Sequence, residues 1–469
     1  MKVEQIYTGC LAQGAYYIVS GKDAAIVDPL REITPYLERA KKDGVKIKYI
    51  FETHFHADFV SGHVDLAKAT GAEIVYGPTA NPAFKAHIAT HGEEFTIGDV
   101  TITALHTPGH TMESTCYLLK DKTKNDYAVF TGDTLFIGDV GRPDLAQKGA
   151  DITQEYLAGL LYESLRNHIV TLNDNVIVYP AHGAGSACGK NMSKETVSTI
   201  GQQKQFNYAL RASMTKDEFI KEVTDGLLPP PGYFPMNVKL NKEGYENIDK
   251  VLKRGKTPLT ADEFEVVANE TNALILDTRS PDLFVKGFIP NSISIGIDGT
   301  FAPWVGALIP NVNHELLLIT EVGREEEVIT RLARVGYDHV VGYLNGGFES
   351  WKAAGKETDS IKSISAIQFA SLYGEKLEVV DVRKPGEFEA EHVVMAKNIP
   401  LDYLNDNMSS FNAATETYLH CAGGYRSVIA ASILKSRGFE NIVNVEGGFK
   451  AIKGAGVSCT NFNCTSSKS

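Results

Sequence analysis

His54, His56 and Asp58 stand at alternate positions in the stretch Thr53-His54-Phe55-His56-Ala57-Asp58-Phe59-Val60-Ser61-Gly62. Imidazole and carboxylate donors suit zinc or iron. If the segment stays extended past the run Ile47-Lys48-Tyr49-Ile50-Phe51, all three side chains project to one side. Such a cluster at a strand end is the seed of a metal site that needs further ligands from distant loops. A second centre of chemistry lies far along the chain. There Cys421-Ala422-Gly423-Gly424-Tyr425-Arg426-Ser427 separates a strand pattern, Glu416-Thr417-Tyr418-Leu419-His420, from a helical run over 428–436. A cysteine at this junction faces a helix N-terminus, whose unpaired N–H groups stabilise a thiolate and any anion bonded to it. The glycines let backbone amides turn inward around the sulfur. A cysteine that only fills a core needs no Gly-Gly-x-Arg-Ser behind it.

The elements that must position the metal ligands are readable from apolar periodicity. Tyr16-Tyr17-Ile18-Val19 and Ala24-Ala25-Ile26-Val27-Asp28-Pro29 read as paired strands, and 33–43 as an amphipathic helix. Polar motifs then follow strand patterns in turn. His106-Thr107-Pro108-Gly109-His110 follows Thr101-Ile102-Thr103-Ala104-Leu105, Thr131-Gly132-Asp133 follows Tyr127-Ala128-Val129-Phe130, and Pro180-Ala181-His182-Gly183 follows Val176-Ile177-Val178-Tyr179. A layered α/β fold gathers such strand-end loops into one mouth.

The chain's 46 basic and 58 acidic residues leave a formal charge of −12, which repels nucleic acid and anionic membrane and points to a small-molecule substrate. No apolar run approaches a membrane span and the N-terminus begins no secretory signal, so the expected location is cytoplasmic, with no nucleic-acid and no membrane partner. Cys10, Cys116, Cys188, Cys421, Cys459 and Cys464 are sparse and irregular, which argues against a disulfide framework and for individual thiol chemistry.

At 469 residues the length suggests roughly three domains. The proline-rich stretch Leu227-Leu228-Pro229-Pro230-Pro231-Gly232-Tyr233-Phe234-Pro235 reads as the extended start of a docking arm reaching to about Lys256. Beyond it the sequence repeats. Asp277-Thr278-Arg279 with Phe284 recurs as Asp381-Val382-Arg383 with Phe388, and Gly346-Gly347-Phe348 recurs as Gly447-Gly448-Phe449. Two copies of one parallel α/β unit follow from that period. The domains are accordingly read as 1–245 with its C-terminal arm, 246–358, 359–458, and a tail 459–469, with disorder expected over 457–469. The first copy carries Ile319-Thr320-Glu321-Val322-Gly323-Arg324-Glu325 where the second carries its cysteine loop. Lacking a nucleophile it can do no covalent thiol chemistry, and it is read as a spacer or dimer contact.

Taken in order, the motifs of the first half resemble the metallo-β-lactamase superfamily, an αββα sandwich with metal at one sheet edge. Its binuclear hydrolases use His-x-His-x-Asp-His, and the last ligand position here is Phe59, which cannot coordinate. That departure points toward the persulfide dioxygenase branch. The resemblance implies one Fe(II) per chain held by His54, His110 and Asp133, with His56, Asp58 and His182 orienting ligands and admitting protons. Gly138-Asp139-Val140-Gly141-Arg142-Pro143-Asp144-Leu145 is similar to that branch's loop after the metal carboxylate, with Arg142 expected to pair Asp144. The glycine-rich run 183–191 is read as an anion nest, and Cys188 within it as a packed residue. The repeated half resembles rhodanese, an α/β sulfurtransferase fold. The resemblance implies that Cys421 carries sulfane sulfur and that Ala422, Gly423, Gly424, Tyr425, Arg426 and Ser427 cradle it, with Arg426 favouring anions.

The expected fold class is therefore α/β, a metallo-β-lactamase αββα sandwich followed by two rhodanese-like domains. The expected function is oxidation of a low-molecular-weight thiol persulfide by O2 to sulfite, with transfer of sulfane sulfur from Cys421 to sulfite to give thiosulfate. A homo-oligomer is the expected assembly. Two alternatives stand beside this reading: a binuclear zinc thioesterase of the glyoxalase II type, and a non-catalytic sulfur carrier or sensor.

Overall fold

Runs of largely buried side chains, as expected of sheets covered on both faces, build two six-stranded sheets in the first half of the chain. The computed structural model describes residues 1–146, 152–227, 229–374 and 377–461. The first sheet runs in sequence order through β1 (Lys2–Thr8), β2 (Gln13–Ser20), β3 (Asp23–Val27), β4 (Lys46–Phe51), β5 (Glu73–Tyr76) and β6 (His87–Ile88). The second comprises β7 (Glu94–Ile97), β8 (Val100–His106), β9 (Thr115–Lys120), β10 (Asp126–Gly132), β11 (Ile177–Pro180) and β12 (Ser198–Thr199). Tyr16, Ile18, Val27 and Phe51 of the first sheet interdigitate with Ile102, Tyr117, Leu119 and Phe130 of the second. Each such buried side chain contributes about 1.5–3 kcal/mol of transfer free energy. Tyr36, Ala40 and Leu66 from helices Thr34–Asp43 and His63–Thr70 cover one outer face. Ala158, Leu161 and Phe219 from Gln154–Ser164 and Lys216–Thr224 cover the other. The layers are thus α/β/β/α, and the strand ends that carry the motifs emerge along one edge, where Gln13 bridges to His182.

The second half holds two five-stranded sheets, ordered β13-β17-β16-β14-β15 and β18-β22-β21-β19-β20, with every described pairing parallel. Their strands are β13 (Pro258–Leu259), β14 (Leu274–Asp277), β15 (Ile293–Ser294), β16 (Leu316–Ile319), β17 (Val340–Leu344), β18 (Lys362–Ile364), β19 (Glu378–Asp381), β20 (Lys397–Asn398), β21 (Thr417–His420) and β22 (Ile442–Val445). The identical strand order is the structural form of the sequence repeat. By contact density the chain separates into a unit comprising Met1–Ile248 with Ala333–Gly336 and a unit comprising Asp249–Leu332 with Tyr337–Ser469. Among the described residues no helix is long and apolar enough to cross a membrane.

Two expectations need correction. The segment after the prolines is not an extended arm. It folds into helices Phe234–Glu243 and Ile248–Gly255, because Pro235 sits in the first turn, where a missing N–H costs nothing. The start of the tail is also ordered. Cys459 bridges to Val393 and Thr460 N–H donates to the His392 carbonyl at 2.8 Å, while Cys464 lies outside the described residues.

The helix Phe234–Glu243 matters to the site. Asn241 Nδ2 donates to the carbonyls of His56 and Phe59, each at 2.8 Å, and its Oδ1 accepts from Ser61 N–H at 2.8 Å. These backbone groups are buried away from water. Asn241→Leu is expected to lower the unfolding free energy of the first unit by about 3 kcal/mol, since each orphaned group costs about 1–3 kcal/mol. The urea midpoint reads this, and an unchanged midpoint rejects the bracing role.

Candidate metal centre and thiol loop

Asp28 directly follows β3 with a left-handed backbone, φ 49°, which turns its carboxylate back onto the next strand's loop. It accepts Thr53 N–H at 2.8 Å through Oδ1 and the Thr53 hydroxyl at 2.9 Å through Oδ2. With its own proton committed there, Thr53 Oγ1 is an acceptor for His54 Nδ1–H at 3.0 Å. His54 therefore presents a bare Nε2. His110 is set the same way, because the Arg142 carbonyl at 2.9 Å from Nδ1 can only accept. Both free nitrogens face one carboxylate: His54 Nε2 lies 3.9 Å and His110 Nε2 3.4 Å from Asp133 Oδ2.

Three lone-pair donors thus converge with no proton between them. Among the described residues neither Asp133 oxygen has a hydrogen-bond partner, and all three side chains are buried. A cation is what relieves this arrangement, so the donor set fits a metal ion. Burial, reinforced by the neighbouring imidazoles, holds His54 well below the ordinary histidine range, which keeps it a neutral ligand. Glycine is required around the carboxylate. A Cβ on Gly141 would lie 1.9 Å from the Asp133 carbonyl, and Gly132, at φ 52°, has Thr53 2.6 Å from where a Cβ would stand.

The other sequence-derived site residues are placed differently from a single projecting row. The chain leaves β4 at Phe51 and turns; the rings of His54 and His56 stay side by side, 4.2 Å between centroids, but His54 joins His110 and Asp133 while His56 and Asp58 join His182. His56 Nε2 lies 3.1 Å from Asp28 Oδ1 and 3.6 Å from Glu52 Oε2. Burial alone would depress His56, but the carboxylates of Asp28, Glu52 and Asp58 push it up to about 9. Asp58 Oδ2 sits 3.4 Å from His182 Nε2, which is also 3.6 Å from Asp133 Oδ1, and burial raises the Asp58 pKa. His56, Asp58 and His182 form a second group within metal-ligating range. Phe59 is fully buried, its ring centroid 4.3 Å from that of His56 and 6.5 Å from that of His182.

Arg142 forks onto Asp144 at 2.6 and 2.7 Å and reaches the Ala187 carbonyl at 3.3 Å. Its use for the site is its backbone oxygen on His110. The run 183–191 is no open anion nest, because the Asp139 carboxylate already accepts Lys190 and Asn191 N–H at 2.7 and 2.6 Å. Cys188 does more than pack. Its sulfur comes within ligating range of Asp133 and His182, and burial together with Asp58 and Asp133 holds the thiol well above its usual value.

At the second centre Cys421 follows β21, and Gly424 N–H donates to its Sγ at 3.1 Å before helix Tyr425–Ser436 begins. The Gly-Gly-Phe motif lies behind this loop: a Cβ on Gly448, φ 58°, would stand 2.4 Å from the Cys421 carbonyl, and Phe449 N–H donates to that carbonyl at 2.6 Å. Asp381 and Arg383 pair beneath, with the Arg383 guanidinium 4.0 Å from the Phe449 ring centroid, and Asp277, Arg279 and Phe348 repeat the arrangement at 4.2 Å. The repeated motif is therefore scaffold. Arg426 is held by a carboxylate, forked onto Glu387 at 2.6 and 2.9 Å, a partner the sequence reading missed. In the first copy Gly323 N–H is capped by the Glu325 carboxylate at 3.0 Å, so a built-in anion fills that loop.

Residues 8–182 match the metallo-beta-lactamase superfamily, and residues 260–354 and 365–455 each match the rhodanese-like domain. A probable hydroxyacylglutathione hydrolase of Schizosaccharomyces pombe is 31% identical over 215 residues, 41% of this chain and 79% of that protein. The chain belongs to the metallo-beta-lactamase superfamily. It carries two rhodanese-like domains behind that fold. The mitochondrial persulfide dioxygenase ETHE1 of Mus musculus is 29% identical over 222 residues, 47% of this chain and 78% of that protein. A metallo-beta-lactamase crystal structure from Staphylococcus aureus subsp. aureus COL aligns with TM-score 0.64 at 30% identity, covering 73% of this chain and 98% of that one.

Proposed function

We propose that this chain is an enzyme of sulfur metabolism that joins a persulfide dioxygenase to a sulfurtransferase. The observation that carries the reading is the bare Nε2 atoms of His54 and His110 converging on Asp133, in one chain with a cysteine whose sulfur is held by a loop amide. In the first reaction a thiol persulfide, O2 and water give the thiol, sulfite and protons. The outer sulfur is oxidised, O2 takes up four electrons, and water supplies the third oxygen. One Fe(II) per chain, held by His54, His110 and Asp133, supplies the redox chemistry for that step. The chain's own groups do the rest. Thr53 and the Arg142 carbonyl fix the imidazole tautomers, and Asp58 with His182 stands where protons leave. Burial excludes bulk water.

In the second reaction the Cys421 persulfide gives its outer sulfur to sulfite. The S–S bond breaks, a new S–S bond forms thiosulfate, and the electron pair returns to Cys421 as thiolate. Sulfite made at one site is the acceptor at the other. The substrates are thus a low-molecular-weight thiol persulfide, O2 and sulfite. The five described cysteines are free thiols, which suits a reducing compartment such as the cytoplasm.

The hydrolase relative and the group His56, Asp58 and His182 favour a second reading, a two-zinc thioesterase. Loading with Fe(II) under anaerobic conditions, followed by glutathione persulfide in an oxygen electrode, separates the two. The expected result is one iron per chain, oxygen uptake and sulfite. Two zinc ions per chain with thioester turnover and no oxygen uptake overturns the dioxygenase.

A further inference from the structure

The cysteine-free rhodanese-like domain reaches the working loop of its neighbour. Tyr425, third residue after the Cys421-Ala422 pair, leaves its own domain: its hydroxyl donates to the Gly296 carbonyl at 2.7 Å. The ring lies against the backbone of Gly299, where a Cβ would stand 2.3 Å from the ring carbon that bears the hydroxyl and 2.7 Å from the hydroxyl oxygen. No side chain other than hydrogen fits there without moving the ring. The glycine-bearing turn is itself braced. Arg324 forks onto Asp298 at 2.9 and 2.8 Å, and Arg331 donates to the Ile297 carbonyl at 2.6 Å. Arg324 belongs to the loop that stands where the other copy has its cysteine, so the loop without a nucleophile holds the turn that holds Tyr425. Tyr425 directly follows the residue that supplies Cys421's amide donor, since Gly424 N–H is the group on Sγ. A shift of the ring therefore shifts the amide.

We propose that the turn 296–299 is a socket for Tyr425 that positions the Cys421 loop, so that the domain without a nucleophile supplies a positioning element to the one that has it. The reading of Cys421 as a sulfur carrier gives the socket its purpose, but the socket is testable without it. Cys421 is buried, so a displaced loop exposes its sulfur while spoiling its alignment.

Full-length Gly299→Ala, Tyr425→Ala and the double variant are compared with wild type by two readouts: sulfur transfer from thiosulfate to cyanide, and the rate of Cys421 alkylation by iodoacetamide followed by mass spectrometry. For Gly299→Ala the expected result is kcat lowered about tenfold with KM within twofold, alkylation about fivefold faster, and an unchanged melting temperature. In the Tyr425→Ala background the glycine substitution is expected to add less than twofold to either readout, because the ring it would strike is gone. The socket is overturned if Gly299→Ala leaves alkylation within twofold of wild type, or if its effect is undiminished when Tyr425 is alanine. A wild type that alkylates as expected but transfers no sulfur defeats the carrier reading alone, and the alkylation cycle still decides the socket.

Discussion

Cys421→Ser is expected to abolish sulfane-sulfur transfer and leave oxygen uptake untouched, so that sulfite accumulates where wild type makes thiosulfate. The sulfur at position 421 is both nucleophile and carrier. Serine keeps the shape of the side chain and can still accept from Gly424 N–H, but its oxygen forms no persulfide. Removing a covalent nucleophile should cost at least about 10³-fold in transfer. Oxygen uptake is expected to survive because His54, His110 and Asp133 belong to the first compact unit and Cys421 to the second. Product analysis by ion chromatography beside the oxygen electrode reads both outcomes. Loss of oxygen uptake in the variant would mean the reactions share a site, and unchanged thiosulfate would mean Cys421 is not the carrier.

How far the sequence could be read depended on the range of each interaction. Strand-end motifs were legible because strands are periodic and their loops follow directly: β8, β10 and β11 deliver His110, Asp133 and His182 where the apolar runs stop. The repeat was legible because Asp-x-Arg and Gly-Gly-Phe recur for packing reasons that the structure makes explicit, an ion pair under a phenyl ring and a backbone approach that admits only glycine. What failed was the assumption that the chain stays extended through His54-Phe55-His56. The capture of His56 by Asp28 and Glu52 is a tertiary event, and alternation in the sequence carries no sign of it. Asn241 was illegible for a similar reason, being far along the chain from the loop it braces. Asp28 did leave a signal, an acid ending the apolar strand run Ala24-Ala25-Ile26-Val27. Cys188 left none, since a cysteine among glycines reads the same whether it packs or faces a metal site.

Asp133→Asn should remove metal binding and with it all oxygen uptake, while making the metal-free protein more stable. Asp133 is the junction of the site, with imidazole nitrogens of His110, His182 and His54 at 3.4, 3.6 and 3.9 Å from its oxygens. In the absence of a cation, a buried carboxylate facing bare nitrogen lone pairs costs several kcal/mol, because no donor repays its lost hydration. Asparagine keeps the volume and removes the charge, and its amide can donate to one of those nitrogens. Stability and function therefore oppose each other here, as at other sites built to receive a charge. Metal affinity is expected to fall at least about 100-fold, since the only anionic member of the His54, His110 and Asp133 set is lost. Thermal unfolding with and without Fe(II) reads both halves. Wild type should gain melting temperature with added metal, because a ligand that binds only the folded state stabilises it by mass action. The variant should start higher and gain nothing. A variant that still shows the metal-dependent rise would place the ion on another set of ligands, with His56, Asp58 and His182 the next to test.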